Sequence, residues 1–335
     1  MLPADHPSIA TPRVGVLLIN LGTPDAPDPA SVRRYLAEFL SDPRVVEIPR
    51  LIWQPILHGV ILTTRPKKSA HAYQQVWMTE GSPLAVHTRD TAAALQRAMG
   101  QDAVVDWAMR YGNPSIASRL AAMKAQGCER ILLAPLYPQY SAATTATALD
   151  AAFAAMAKMR WQPAVRSLPP YHDDPAYIEA LRLSITQQIA ALDFKPDALL
   201  ASFHGMPERT LHLGDPYHCH AVKTVRLLRE ALSLPVHMSF QSRFGRAKWL
   251  EPETEATLTR LVKEGVRNIA VVTPGFSADC LETLEEIGLR AKEVFLAEGG
   301  EKFAFLPCLN ASPEAITLYQ RLVGRELSGW VDQRV

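Results

Sequence analysis

The sequence has few of the features that mark a disulfide-rich, metal-caged or membrane-spanning protein. Its 335 residues include only four cysteines: Cys128, Cys219, Cys280 and Cys308. They are dispersed and form no C-x-x-C pair, which argues against a disulfide framework and against a closed zinc or iron–sulfur site. No stretch approaches the ~20 consecutive apolar residues that a membrane-spanning helix needs.

An excess of one charge and the common nucleotide motifs are also missing. The formal net charge is +1, so no basic field indicates a nucleic-acid partner. The chain contains no P-loop, no G-x-G-x-x-G and no nucleophile elbow, which leaves kinase, dinucleotide-binding and hydrolase functions without support. Its first residues, MLPADHPSIATPR, contain no apolar run typical of a signal peptide. We therefore expect a cytoplasmic protein that binds no nucleic acid.

What the sequence does contain is an alternation of buried strands and amphipathic helices. Four continuous apolar runs are typical of strands buried on both faces: VGVLLINLG (14–22), RILLAPLYP (130–138), DALLASFHG (197–205) and RNIAVVTPGF (267–276). Helical patterns lie between them, including PASVRRYLAEFL, SIASRLAAMKAQG and EATLTRLVKEG, and the last two end in glycine. This alternation predicts an α/β fold with parallel sheets.

The two halves of the chain resemble each other. Each begins with a buried strand that runs into a Gly-x-Pro loop, LINLGTP at 18–24 and ASFHGMP at 201–207. Each then has an Arg-aromatic-Gly motif followed by a helix, a glycine and another buried strand. We interpret this as an internal duplication. The predicted domains are a first lobe over residues 1–165, a second lobe over 166–310, and a C-terminal helix within 311–335 that packs back on the first lobe.

One stretch, SFHGMPERTLHLGDPYHCH (202–220), contains four histidines. His204 ends an apolar strand, and ligands of open α/β sheets bind beyond the carboxyl ends of strands. Either a functional histidine or a satisfied strand-end histidine fits that position. His212, His218 and His220 surround the turn signal Gly-Asp-Pro, so we expect them in a solvated loop rather than in a metal cage.

A second polar segment, SADCLETLEEIG (277–288), follows the last of the four buried strands. We expect Ser277 or Asp279 to cap a helix on which Glu282, Glu285 and Glu286 form an acidic stripe. A solvated helix face is the alternative. Glu282 differs from the other two because it lies in the first turn, nearest the strand end, where it would face His204.

These residues carry a resemblance to a known family. In order along the chain stand LINLGTPDAP, GSPL, MRYG, PLYPQYS, SFHGMPER, GDPY, FQSRFGRAKWL and SADCLETLEE. Together they resemble the ferrochelatases of Gram-negative bacteria, which insert Fe²⁺ into protoporphyrin IX in the last step of haem biosynthesis. The resemblance covers nearly the whole chain and implies two similar Rossmann-like domains. It also implies that iron and porphyrin are substrates and that no cofactor is tightly bound.

The resemblance further implies roles for individual residues. His204 and Glu282 match the cleft histidine and the glutamate that handle protons and metal. The positions that match or adjoin the porphyrin pocket are Leu21, Arg65, Arg110, Tyr111, Tyr137, Trp249 and Phe276. Arg65 is a candidate partner for a propionate. For Tyr137 and Trp249 a role as core aromatics remains open.

The sequence departs from the animal ferrochelatases in two places. Cys280 stands where those enzymes have a histidine, so an iron route through that histidine is not expected here, and a first-turn thiol could have a lowered pKa. The animal enzymes also bind a [2Fe–2S] cluster through a C-terminal extension and one internal cysteine. This chain ends at Val335 and has Ala142 at the internal position. We therefore expect no cluster.

The segment RLIWQPILHGVILTTRPKK (50–68) is apolar and ends in basic residues. Its apolar positions are Ile52, Trp53, Ile56, Leu57, Val60 and Ile61. We hypothesise that they form a lip that contacts a membrane peripherally, at the inner membrane of a bacterium; a helix packed into the first lobe is the alternative. For the whole chain, the rival functions are a chelatase for coproporphyrin or another tetrapyrrole, and a two-lobed tetrapyrrole-binding protein without catalysis.

Overall fold

The computed structural model describes residues 11–245 and 247–331. In this part of the chain, eight strands form two separate parallel sheets. The first sheet contains β1 (Arg13–Thr23), β2 (Val104–Gly112), β3 (Cys128–Pro135) and β4 (Ala164–Ser167). The second contains β5 (Ala198–His204), β6 (Val236–Gln241), β7 (Asn268–Val272) and β8 (Lys302–Phe305). All four predicted strands are confirmed, as β1, β3, β5 and β7.

Both sheets have the same topology. The strand order is β2-β1-β3-β4 in the first and β6-β5-β7-β8 in the second, and every neighbouring pair is parallel. The predicted α/β fold with two similar lobes is therefore confirmed. The equivalent strands carry the equivalent motifs: β1 and β5 both lead into a Gly-x-Pro segment, and the Arg-aromatic-Gly motif ends β2 and closely follows β6.

Helices cover the faces of both sheets. The helices up to β4 are α1 (Pro29–Leu40), α2 (Arg50–Ile56), α3 (Leu62–Val76), α4 (Pro83–Met99), α5 (Ile116–Ala125) and α6 (Thr147–Met156). Those after β4 are α7 (Pro175–Ala190), α8 (Glu208–His212), α9 (Tyr217–Ala231), α10 (Thr254–Lys263), α11 (Lys292–Ala297) and α12 (Pro313–Glu326). Wider, π-helical turns occur at Leu57–Ile61, Ala142–Ala146 and Glu282–Ala291.

Local sequence signals set several helix ends. Asp28 caps the N-terminus of α1, with its carboxylate accepting the N–H groups of Ala30 and Ser31. The glycines that follow α5 and α10, Gly127 and Gly265, have φ angles of 86° and 99°. Those left-handed values suit glycine, which has no Cβ to clash, and they stop the helices before β3 and β7.

The apolar core joins the two lobes. Val16 and Leu18 of β1 belong to the same buried cluster as Leu199 and Phe203 of β5. Helix α12 contributes to this cluster and contacts α4 and β3 of the first lobe as well as α7. The opposite face of each sheet has its own core, formed with α5 and α6 in the first lobe and with α10 and α11 in the second.

The predicted boundary at residue 165 falls inside β4, which continues to Ser167 in the first sheet. Sequence patterning could not place this end because β4 is short and half-exposed, with no continuous apolar run. Among the described residues, no helix is both long enough and apolar enough to cross a membrane.

Candidate active site

His204 is the last residue of β5 and pairs in register with Gln241, the last residue of β6. The next residue, Gly205, donates its N–H to the carbonyl of Gln241 at 2.7 Å. A Cβ at position 205 would lie 2.5 Å from that carbonyl oxygen and 3.1 Å from the ring of Trp249. Only glycine permits this approach, so the strand exit holds His204 and Trp249 near each other.

The hydrogen bonds of His204 define its tautomer. Nδ1 lies 2.7 Å from the carbonyl oxygen of Gly205. A carbonyl can only accept, so Nδ1 carries the proton and Nε2 of the neutral ring is free to accept one. The hydroxyl of Tyr217 donates to the carbonyl of His204 at 2.9 Å, and the Phe276 ring centroid lies 6.5 Å from the imidazole.

The helix that carries Glu282 is π-helical and begins at Glu282 itself, without a side-chain cap. The prediction that Ser277 or Asp279 caps it was wrong. Asp279 instead accepts hydrogen bonds from the Thr283 hydroxyl at 3.1 Å and from the Asn310 amide at 2.7 Å. Because these bonds fix the turn before the helix, Asp279 positions the first turn without capping it.

Glu282 is half-buried beside three groups that are hard to ionise. Burial, and then the Glu282 carboxylate, raise the pKa of the Cys280 thiol well above its usual range. Burial also raises the pKa of Tyr73 and Tyr35, with the Glu282 charge as a further cause for each. Tyr35 and Tyr73 belong to α1 and α3, so two residues of the first lobe lie near a carboxylate of the second.

Gln241 connects the strand ends to the π-helix. Its side-chain Nε2 donates to the backbone carbonyl of Glu282 at 2.8 Å, and its Oε1 accepts from the Ser202 hydroxyl at 2.8 Å. Its side chain is buried, with 1% of the residue exposed. The sequence patterns did not identify Gln241 as a site residue, although it begins the motif QSRFG. The signal that could have identified it is a glutamine at the end of a strand, next to that motif.

The predicted acidic stripe is not simply a solvated face. Glu286 accepts the N–H of Ser242 at 2.7 Å and its hydroxyl at 2.6 Å. Glu285 pairs with Arg290 at 3.2 Å. Within residues 11–245 and 247–331, no three His, Cys, Asp or Glu side chains are grouped so that they could hold a metal ion together.

Arg110 and Tyr111 are committed to a buried network around Asp42. Arg110 pairs with the Asp42 carboxylate at 2.6 Å and donates to Thr147. Tyr111 has no exposed surface and donates its hydroxyl to Asp42 at 2.9 Å. In this structure Tyr111 has no surface to offer a ligand, so the pair supports the strand end from within the core. No sequence signal marked Asp42.

Arg65 lies at a contact between the lobes. Its guanidinium carbon is 3.7 Å from the ring centroid of Phe244, which follows β6 in the second lobe. Burial lowers the pKa of Arg65, and no carboxylate in the described part of the chain lies within ion-pair distance of it. A half-buried guanidinium without a counter-ion can accept an anionic ligand group.

Four of the other predicted pocket residues lie at the strand ends. Leu21 and Phe276 pack in one apolar cluster with Cys280 and Met109, where the two lobes meet. The hydroxyl of Tyr137 and the Nε1 of Trp249 are buried, and neither has a hydrogen-bond partner among the described residues. Both groups therefore have unsatisfied hydrogen-bonding capacity in this structure.

The expectation of a solvated loop for three histidines was partly wrong. His212 is exposed at the end of α8, but His218 and His220 belong to α9. His220 stacks on His172 with the ring centroids 3.6 Å apart, and His218 lies 5.8 Å from the Phe240 ring. The Gly-Asp-Pro sequence correctly predicted a turn, which separates α8 from the next element, but that element is the helix α9 and not a loop.

The idea that Cys280 has a lowered thiol pKa was also wrong. Only 5% of Cys280 is exposed, and it precedes the helix instead of lying in its first turn. Burial and the neighbouring carboxylate favour the neutral thiol. A position near the start of a helix does not lower the pKa of a thiol that is buried beside a carboxylate.

The apolar segment from residue 50 is divided between the core and the surface. Trp53 and Leu57 are buried, and Trp53 donates its indole N–H to the carbonyl of Leu40 at 2.6 Å. They therefore do not belong to an exposed lip. The outer residues remain as an exposed apolar patch: Leu51, Ile52, Ile56 and Val60 are 92%, 59%, 40% and 55% exposed.

Comparisons with known proteins agree with this architecture. The fold resembles that of solved chelatases. The match to SirB from Bacillus subtilis with Fe³⁺ has a TM-score of 0.55 at 15% sequence identity and covers 75% of this chain and 95% of that chain. The match to CbiX, the terminal enzyme for siroheme biosynthesis in denitrifying bacteria, has a TM-score of 0.52 at 14% identity and covers 93% of this chain and 98% of that chain. These likenesses concern the fold alone. Two proteins named ferrochelatase are far more similar in sequence, from Rhizobium meliloti (56% identity) and Agrobacterium fabrum (55%), each aligned over 98% of both chains. The ferrochelatase family model matches residues 13–327, and the chain belongs to the ferrochelatase family.

Proposed function

We propose that this protein inserts Fe²⁺ into protoporphyrin IX and so forms protohaem. The observation that carries this proposal is the family match over residues 13–327, together with ferrochelatase relatives aligned over nearly their whole length. The site agrees with it, because an imidazole and a carboxylate at the strand ends supply the two chemical functions that metal insertion needs. These are the acceptance of protons and the handling of a divalent ion.

His204 is the proposed proton acceptor. A free-base porphyrin must lose two N–H protons while the dication enters. With Nδ1 bonded to the Gly205 carbonyl, Nε2 is the basic atom that can take one of them. The hydrogen bond from Tyr217 to the backbone of His204 holds this strand end in place.

Glu282 is the proposed partner of His204. A carboxylate is a good ligand for Fe²⁺ and can replace water around the ion or pass a proton to solvent. Gln241 supports this pairing, because it is the strand partner of His204 and holds the backbone carbonyl of Glu282. We propose that the two residues work on the same metal-insertion step.

The proposed porphyrin contacts combine apolar surface with one cation. Leu21, Phe276, Tyr137 and Trp249 would offer apolar and aromatic surface to the macrocycle. Arg65 would pair with a propionate, because its guanidinium is half-buried and has no described carboxylate partner. We propose that Arg110 and Tyr111 act indirectly, through the Asp42 network that holds the end of β2.

We further propose that catalysis uses no tightly bound cofactor and no [2Fe–2S] cluster, with iron only as substrate. The four cysteines are free thiols in the structure, with Cys128, Cys280 and Cys308 buried and Cys219 exposed. We propose a cytoplasmic enzyme whose exposed patch of Leu51, Ile52, Ile56 and Val60 touches a membrane surface, where an apolar porphyrin would be concentrated.

One experiment tests the central proposal. Purified protein is mixed anaerobically with protoporphyrin IX and Fe²⁺, and the absorption spectrum is followed. We expect the free-base bands to convert to those of haem, and Zn²⁺ to be inserted as well, since imidazole and carboxylate ligands discriminate poorly between these ions. Binding of porphyrin without metallation by any divalent ion would favour a non-catalytic binding protein. Faster turnover of coproporphyrin III would reassign the substrate.

A further inference from the structure

The loop after β3 in the first lobe is docked onto the second lobe by polar contacts. We call residues 136–142 the docking loop. The Tyr140 N–H donates to Nδ1 of His220 at 3.2 Å, and the Ala142 N–H donates to the Asp215 carboxylate at 2.8 Å. Three further contacts act at the same place: Ser141 to Asp215 at 3.1 Å, Gln139 to Thr224 at 3.1 Å, and Thr224 to the carbonyl of His172 at 2.8 Å.

The orientation of His220 is defined from two sides. Because its Nδ1 accepts a backbone N–H, the proton of the neutral ring is on Nε2. Its ring also stacks on His172, with an interplanar angle of 6° and the centroids 3.6 Å apart. His172 is 9% exposed and lies between β4 and α7, where the chain passes from one lobe to the other. His220, on α9 of the second lobe, thus contacts both the docking loop of the first lobe and His172 in the segment that connects the two lobes.

The docking loop also carries Tyr137, one of the proposed porphyrin contacts. We infer that His220 is a positioning residue: by accepting the Tyr140 N–H, it fixes the docking loop and therefore the Tyr137 side of the porphyrin site. The part of this inference that concerns porphyrin rests on the proposed function. The part that concerns docking rests only on the contacts between the lobes.

The charges around His220 make the docking sensitive to acid. The groups that face it are His172 and Asp173 on the connection, and Asp215 and Lys223 beside or on α9. Burial is the main cause that lowers the pKa of both histidines, that of His172 to about 4. The neutral pair is therefore stable at neutral pH. Because the docked ring resists protonation, an undocked His220 gains a proton first as the pH falls below the ordinary histidine value of about 6.5. Protonated Nδ1 cannot accept the Tyr140 N–H, so acid shifts the equilibrium away from the docked loop.

The test compares two substitutions of one residue. His220→Ala removes the acceptor, whereas His220→Asn restores it, because the asparagine Oδ1 can occupy the place of Nδ1. We expect the alanine variant to raise the KM for porphyrin about two- to tenfold, the range for one lost buried hydrogen bond, with kcat within about twofold of the original. We expect the asparagine variant to recover most of the loss. His218→Ala, on the same helix but without a described contact to the docking loop, is the matched control.

A pH series adds a readout that simple loss of packing would not give. Porphyrin affinity is measured by fluorescence quenching from pH 7.5 to 5.5 in the original protein and in His220→Asn. Any effect of His204 on the pH dependence of porphyrin affinity is the same in both proteins, so it cancels in the ratio of their affinities. We expect the original protein to lose affinity relative to the asparagine variant as the pH falls. A constant ratio, or equal losses in the alanine and asparagine variants, would overturn the inference.

Hydrogen exchange separates this inference from the proposed function. In the protein without porphyrin, His220→Ala should accelerate exchange in the peptide that covers Tyr140–Ala142, and His220→Asn should not. This result is independent of any activity. If exchange changes as expected but porphyrin never binds, docking stands and the proposed function fails. If exchange is unchanged in His220→Ala, the positioning role fails whatever the activity.

Discussion

Gln241 donates a hydrogen bond of 2.8 Å from its side-chain amide to the backbone carbonyl of Glu282. It is also the strand partner of His204 and accepts the Gly205 N–H through its own carbonyl. One buried residue, through its side chain and its backbone, thus ties the first turn of the π-helix to the strand end that carries the histidine. The relative placement of the two proposed catalytic groups depends on this residue, because a misplacement of about 1 Å can cost about a hundredfold in rate.

Gln241→Ala tests this dependence. We expect kcat to fall about ten- to a hundredfold, because the π-helix start loses its tie to β6 while both catalytic side chains remain. The measurement is steady-state kinetics with thermal unfolding as a check on folding. Ser202→Ala is the control, since it removes the bond to Oε1 at 2.8 Å and leaves the Nε2 donor in place. A folded alanine variant with unchanged kcat would show that Gln241 is only structural.

His204→Ala and Glu282→Ala should each lower turnover at least about a hundredfold, since a positioned acid or base is typically worth about 10²–10⁴-fold. Porphyrin should still bind, because neither change removes apolar surface from the pocket. Turnover and fluorescence quenching by porphyrin are measured on the same preparations. His212→Ala, which changes an exposed histidine at the end of α8, should behave like the original protein. An active His204→Ala variant would end the assignment of that residue.

Cys280→Ser should keep most activity. The buried thiol has its pKa raised by burial and by Glu282, so it is neutral at pH 7 and is neither the base nor a thiolate ligand. The same reasoning predicts that iodoacetamide at pH 7.5 modifies the exposed Cys219 and spares Cys280, which peptide mass mapping would show. A loss of turnover comparable with that of His204→Ala would instead make Cys280 a participant.

Asp42→Asn should destabilise the fold by about 3 kcal/mol at neutral pH, the lower end for a buried pair, because it leaves the partly buried Arg110 guanidinium without its counter-ion. Burial alone would raise the pKa of Asp42, but hydrogen bonds from Thr147, the Arg44 N–H and Tyr111, with the Arg110 charge, bring it below its usual value. A carboxyl with a lowered pKa stabilises the fold above its unfolded pKa of about 3.9 and loses that contribution as the pH falls further.

The measurement for Asp42 is urea unfolding of both proteins at several pH values. The difference in unfolding free energy should be largest near neutrality and shrink below pH ~4. Asp150→Asn is the matched control, since Asp150 pairs with Arg44 at an exposed site and such pairs contribute little, about 0–1 kcal/mol. A difference that stays constant down to acid pH would mean that the charge of Asp42 is not what stabilises the network.

Leu51→Glu and Ile52→Glu should reduce binding to vesicles of phosphatidylethanolamine and phosphatidylglycerol in co-sedimentation. Each change puts a charge into the most exposed part of the patch and opposes contact with apolar chains and anionic headgroups. Leu213→Glu serves as the control, because Leu213 is 61% exposed outside the patch. Substitution of Trp53 is not a useful probe, since that side chain is buried. Vesicle binding that both variants retain would remove the membrane contact.

Much of the fold could be predicted from local sequence. The apolar runs of β1, β3, β5 and β7 were visible because strands buried on both faces are continuously hydrophobic. Edge strands such as β4 and β8 have half-exposed patterns, so nothing marked their ends. The repeated order of motifs predicted two equivalent lobes, because each motif lies at the end of a strand or shortly after it.

The sequence by itself determined four of the eight described strands, the duplication and the two candidate residues His204 and Glu282, since each depends on neighbours in the chain. Tertiary structure alone decided what those residues touch. It paired the Asp42 carboxylate with Arg110 and Tyr111, stacked His220 on His172, and formed the hydrogen bond from Gln241 to Glu282. Such contacts link side chains far apart in sequence, and burial then fixes their pKa values. That is why Cys280 is a neutral thiol and His220 holds a loop between lobes.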